Sequence, residues 1–117
     1  MTVARIAELL DAELYCGEPL LNMEMTSGFG CDMMSDALAF MKEGALFLTG
    51  LVNPQVIRTA EMMDVCCIVF VRGKTPTDAM VDLAKERGMV LLSTRYRLYN
   101  ACGILYAAGL PGGGKVE

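Results

Sequence analysis

A unit consisting of an apolar run, a glycine turn, a polar cap with proline and an amphipathic helix occurs twice in succession in this chain. The first copy is Ala45-Leu46-Phe47-Leu48-Thr49-Gly50, then Asn53-Pro54 and a helix to Asp64 with Ile57, Ala60 and Met63 facing inward. The second is Cys66-Cys67-Ile68-Val69-Phe70-Val71, then Arg72-Gly73-Lys74, Thr75-Pro76 and a helix to Arg87 that groups Ala79, Met80, Leu83 and Ala84. Proline at the first helical position loses no hydrogen bond, and a polar residue before it caps the helix. Strands that alternate with helices of this length require crossover connections and therefore a parallel sheet. The near-continuous apolar runs belong to strands covered on both faces.

The flanking segments extend the same pattern. Thr2 caps a first helix carrying Val3, Ile6, Leu9 and Leu10 on one face, and Glu13 to Cys16 follows as a short strand. Met23 to Phe29 reads as a second strand, and Asp32 is placed to cap a helix through Met41. Gly88 ends the second repeat, Met89 to Leu92 forms a last strand, and Ser93-Thr94 opens a final helix through Ala108. The expected fold is a three-layer α/β sandwich with a mainly parallel sheet of about five strands flanked by helices. Residues 1–111 form one domain, and 112–117 a flexible tail.

Composition narrows the chemistry. The chain has 117 residues and a net charge of −4, which disfavours nucleic acid and anionic lipid as partners. It has no histidine, the usual general base near neutral pH and the commonest metal ligand, so no catalytic residue, metal or cofactor is expected. Its longest apolar run, Val65 to Val71, is far short of the ~20 residues that span a bilayer. The five cysteines are odd in number and form no CxxC pair, which fits buried free thiols in a reducing cytoplasm. Cys66 and Cys67 should face opposite sides of a strand, whereas Cys31 is expected to be exposed and acidified. Counting glycine and leaving out tyrosine, apolar residues make up about 61%, against a usual ~45–50%. Met33, Met34, Met62 and Met63 exceed what one face of each short helix can bury, so a homodimer through the second strand or its following helix is expected.

Two glycine motifs fail on context. Gly109 to Val116 matches a phosphate loop except that Val116 stands where Ser or Thr should hold magnesium, and it follows a helix instead of a strand. Gly28-Phe29-Gly30 begins a dinucleotide fingerprint, but Met33 replaces the third glycine. What remains is a basic group in an acidic chain, namely Arg72, Lys74, Arg95 and Arg97 after the last two strands. Ligands of α/β sheets bind beyond the carboxyl ends of the strands. The candidate rim is therefore Thr49, Gly50, Asn53, Arg72, Gly73, Lys74, Ser93, Thr94 and Arg95, facing a phosphorylated small molecule. The competing reading is a set of solvated loop charges without a ligand.

From about Ala45 to Leu110 the chain resembles the DRTGG domain family. The matching stretches are Leu46 to Gly50, Ile68 to Pro76, and Val90 to Tyr96. The resemblance implies a fold shared with the N-terminal domain of HPr kinase/phosphorylase and related to Mur-ligase N-terminal domains. It also implies a non-catalytic regulatory or assembly module, as in some phosphotransacetylases and beside CBS pairs in some pyrophosphatases. Thr49-Gly50-Leu51-Val52 stands where the naming Asp-Arg dipeptide would be, and Arg72-Gly73-Lys74 replaces the Thr-Gly-Gly turn. The expectation is thus a cytoplasmic homodimeric module with an unidentified protein partner, or alternatively a sensor of a phosphorylated metabolite or nucleotide.

Overall fold

The computed structural model describes residues 1–115. Five strands, β1 (Glu13–Cys16), β2 (Gly28–Gly30), β3 (Leu46–Thr49), β4 (Cys67–Phe70) and β5 (Val90–Ser93), form one sheet in the order β1-β5-β4-β3-β2. The four strands from β2 to β5 are parallel, and β1 runs antiparallel on the outer edge of β5. Five helices accompany them: α1 (Val3–Leu9), α2 (Met34–Phe40), α3 (Pro54–Met62), α4 (Asp78–Glu86) and α5 (Leu98–Ala107). The expected three-layer sandwich with a mainly parallel five-stranded sheet is the fold that forms.

The strand order explains the layers. From β2 to β5 every crossover steps the same way, and crossovers of one hand then deliver every connecting helix to the same face. Accordingly Ala37 of α2, Val56, Ile57 and Ala60 of α3, and Met80 and Ala84 of α4 pack with Phe47, Ile68, Phe70 and Leu91. The alternate residues Leu46, Leu48, Cys67, Val69, Val90 and Leu92 face Val3, Ile6 and Leu10 of the α1 region and Ala101 and Leu105 of α5. Both faces of β3, β4 and β5 are buried throughout, as their apolar runs require.

Four expected boundaries differ. The second strand covers only Gly28–Gly30, because residues 21–25 serve the start of α1 instead: Val3 N donates to Met23 O and Ala4 N to Leu21 O. Helix N-termini leave such donors without internal partners, and an adjacent extended chain can satisfy them. Helix α2 starts at Met34 with no side-chain cap, so Asp32 is not its cap. Asn53 and Pro54 open α3 as expected, but Thr77 caps α4, accepting from Met80 N at 3.2 Å, while Pro76 is buried just ahead of it. Helix α5 starts at Leu98 and not at Ser93-Thr94, because both hydroxyls are bonded elsewhere.

Residues 112–115 of the expected tail have no regular secondary structure, and Val116 and Glu117 lie outside the described residues. Just before that segment, Pro111 O accepts from Gly28 N at 2.9 Å, which occupies part of the free edge of β2.

Candidate functional site

The carboxyl ends of β3, β4 and β5 bring the expected rim residues onto one end of the sheet. Thr49 closes β3 and Gly50 follows it; Arg72 lies just beyond β4, and Ser93 closes β5. Lateral hydrogen bonds tie these ends together. Val71 N donates to Thr49 O, Arg72 N to Tyr96 O, and Gly73 N to Thr94 O. Arg72 and Gly73 both take left-handed backbone, with φ of 60° and 70°, which turns the chain back across the rim.

At the centre of the rim is a residue that does not belong to the expected set. Asp32, two residues beyond β2, accepts from Gly50 N at 2.6 Å and Thr49 Oγ1 at 3.3 Å through Oδ1. Its Oδ2 accepts from Arg72 Nη1 at 3.2 Å. Burial alone would raise its pKa; the Gly50 N–H, the Arg72 guanidinium and the Thr49 hydroxyl outweigh that and hold it below the usual value. The Arg72 guanidinium lies directly over Gly50, where a Cβ would stand 2.2 Å from Nη2. Glycine here therefore admits the arginine. The sequence signal for Asp32 was its position just past a strand, on the same rim as Thr49-Gly50, but the helix that follows made a local cap the more visible reading.

The other expected residues divide by what they already hold. Thr94 Oγ1 donates to Leu10 O at 2.7 Å and Ser93 Oγ to Lys74 O at 2.6 Å, so both hydroxyls are committed to the fold. Asn53 Oδ1 accepts from Val56 N as the cap of α3. Lys74, Arg95 and Arg97 are exposed. Among the described residues the ion pairs involve none of these three. Arg95 lines a recess of about 260 Å³ with Leu10, Asp11 and Tyr96, to the side of the Asp32 cluster. A deep crevice in such sheets arises where the strand order reverses direction. Here the loops after β2, β3 and β4 all leave toward one face and Val71 N bonds Thr49 O across them, so the rim at Thr49, Gly50 and Arg72 is a bonded ledge instead of a cleft.

Further recesses lie elsewhere among the described residues. One, a recess of about 180 Å³ open to solvent, is lined by β2, by Cys102, Leu105 and Tyr106 of α5, and by Leu110 to Gly112. Another of about 410 Å³ lies between Cys16 to Leu20 and Lys85, Gly88 and Met89, toward the opposite end of β5. Cys67 is fully buried and Cys66 partly so, and burial pushes both thiols up. Cys31 corrects an expectation: it lies two residues ahead of the Met33 cap of α2 and not in the helix's first turn, its thiol donates to Met33 O at 3.0 Å, and burial raises its pKa instead of acidifying it. Among the described residues no group of three or more Cys, Asp or Glu side chains is placed to hold a metal ion. No helix among them is long and apolar enough to cross a membrane.

The fold has a counterpart among solved structures. It is similar to the CBS and DRTGG domains of the regulatory region of Clostridium perfringens pyrophosphatase, determined in complex with the activator diadenosine tetraphosphate. The TM-score is 0.72 at 18% identity, over 94% of this chain and 47% of that one, so the present chain spans about half the length of that structure. No curated protein sequence matches the chain. The model of the DRTGG domain matches residues 5–108, which run from within α1 to just past the end of α5 and take in the whole sheet and its rim. The chain therefore belongs to the DRTGG domain family.

Proposed function

We propose that this DRTGG domain is a non-catalytic regulatory or assembly module that acts as a cytoplasmic homodimer. The observation that carries the reading is where its excess apolar surface lies. Met33, Leu38 and Phe40 are 58, 42 and 53% exposed on and beside α2, and Met62 at the end of α3 is 71% exposed. These four large apolar side chains, on and beside two helices of one layer, are area that association would remove from water. The edge of β2 is a poorer contact, since Pro111 already takes one of its donors. The similar pyrophosphatase structure supports a regulatory role, because that protein's CBS and DRTGG domains form a regulatory region. Light scattering at micromolar concentration should report about twice the 12.7 kDa of one chain. A monomer at that concentration would remove the homodimer from this reading.

A second reading, a sensor for a phosphorylated metabolite or nucleotide, is favoured by one observation. Lys74, Arg95 and Arg97 add exposed positive charge beside the Arg72 cluster. A ligand present at one hundred times its Kd stabilises a fold by ~2.7 kcal/mol, which in a domain of this size raises the Tm by several degrees. Pyrophosphate at millimolar concentration should produce such a shift, and added salt should diminish it. An unchanged Tm would leave the assembly reading alone.

A further inference from the structure

We infer that Thr49, Gly50 and Arg72 form a cradle for a phosphate or diphosphate group of a small molecule, and that Asp32 is a built-in competitor for it. The inference rests on the sensor reading of this rim. Its basis is the donor set around one carboxylate: a backbone N–H, a hydroxyl and a guanidinium. A phosphoryl oxygen is bound by the same three kinds of group, at similar distances and with the same preference for charge-assisted bonds. Asp32 comes to them from 17 to 40 residues away in the chain, so it enters the donor set as an anion would, from outside the two strand ends that supply it.

The backbone that carries the donors is held without Asp32. Thr49 is fixed by β3 pairing and by Val71 N on its carbonyl, and Arg72 is anchored through its own N–H to Tyr96 O. The missing Cβ of Gly50 leaves the space in which the guanidinium lies. Nor does α2 depend on Asp32, since no side chain caps that helix. Removing the carboxylate should therefore free the three donors on a backbone that stays in place. Asp32 balances the charge of Arg72, while Lys74, Arg95 and Arg97 supply further positive charge at the same end of the sheet. A diphosphate carries more negative charge than one carboxylate and gains more from those cations. Asp32 thus sets a threshold: a weakly charged anion does not displace it, and a highly charged one does.

Calorimetric titration of pyrophosphate into wild type, Asp32→Ala and Asp36→Ala tests the inference. Asp36 is exposed one turn further on, so its removal changes net charge equally without opening the cradle. Asp32→Ala should bind at least about tenfold tighter than wild type, and Asp36→Ala should match wild type. Adding Arg72→Ala to Asp32→Ala should abolish the gain. ADP titrated in parallel distinguishes the source, since a gain for pyrophosphate alone assigns a free diphosphate and a gain for both assigns one carried on a larger ligand. Should Asp32→Ala fail to fold, Asp32→Ser and the wild-type Gly50 amide resonance give the same decision. Tighter binding by the serine variant, or a Gly50 shift with pyrophosphate, supports the cradle. Binding by wild type with no gain in either Asp32 variant and no Gly50 shift overturns the competitor role while leaving the sensor reading intact. No binding by any of these proteins at millimolar concentration overturns both.

Discussion

Phe47→Ala should lower the free energy of unfolding by about 3–5 kcal/mol, enough to remove a large share of the ~5–15 kcal/mol that holds a typical domain together. Phe47 is fully buried on β3, between β2 and β4, and faces the layer formed by α2, α3 and α4. Its ring lies 6.4 Å from that of Phe29 at a tilt of 47°, so truncation also removes an aromatic contact. Strand residues cannot move toward the hole without breaking two ladders, and one-turn adjustments of the helices are limited by their short connections to the strands. The cavity should therefore persist and the cost should fall in the upper part of the range. Urea denaturation followed by circular dichroism should show a lower midpoint with an unchanged slope. A loss below about 1.5 kcal/mol would mean that the helical layer collapses onto the sheet, contrary to the packing described.

The parts of the fold that could be read in the sequence are those fixed by contacts close along the chain. The runs that became β3, β4 and β5 needed only apolar content and bounding glycines, and Asn53-Pro54 sets the start of α3 within four residues. Where two local signals competed, the structure decided between them. Thr75 and Thr77 are both adequate caps, and Pro76, buried against the domain, makes the second the one in use. Met23, Met25 and Ser27 alternate like a strand, yet the carbonyls of Leu21 and Met23 meet the first turn of α1, about twenty residues earlier. Such a pairing has no periodic signature.

The candidate rim was legible only in its strand-end residues, and neither Asp32 nor the wiring could be read. Glycine, threonine and arginine at strand ends identify Thr49, Gly50 and Arg72, and these do converge. Placing Asp32 among them requires knowing that β2 lies beside β3, which follows from the strand order and from no local pattern. The same order explains why the ledge lacks a crevice. A sheet whose crossovers all step one way sends α2, α3 and α4 to one face, so the loops after β2, β3 and β4 leave on the same side, while the loop after β5 leads to α5 on the other. Under the sensor reading, a ligand there would rely on charge and on displaceable internal bonds, because enclosure is absent. Burial in a pocket would have favoured an apolar ligand; an open ledge with arginine and backbone N–H groups favours an anion.

Gly17→Ala should cost about 2–4 kcal/mol, although it adds a single methyl group near the surface. Gly17 follows β1 with φ of 101°, a backbone conformation that residues with a Cβ rarely adopt. The added Cβ would also stand 2.7 Å from Val90 Cα, a backbone atom that cannot rotate away. Relief requires β5 to shift, and β5 is paired on both sides, to β1 and to β4. Gly88→Ala is the matched comparison, because Gly88 has φ of 68° with nothing within 4 Å of the new Cβ. That variant should cost only the conformational strain, roughly 1 kcal/mol. The difference between the two isolates the clash. Because Ser93 and Thr94 lie at the far end of β5, a displaced strand should also disturb the Thr94 bond to Leu10 O and the turn that carries Arg72. Thermal denaturation of both variants, with amide spectra of residues 90–96, measures the two effects together. Equal losses for Gly17→Ala and Gly88→Ala would show that β5 yields freely, and that the rim is not held by strand register.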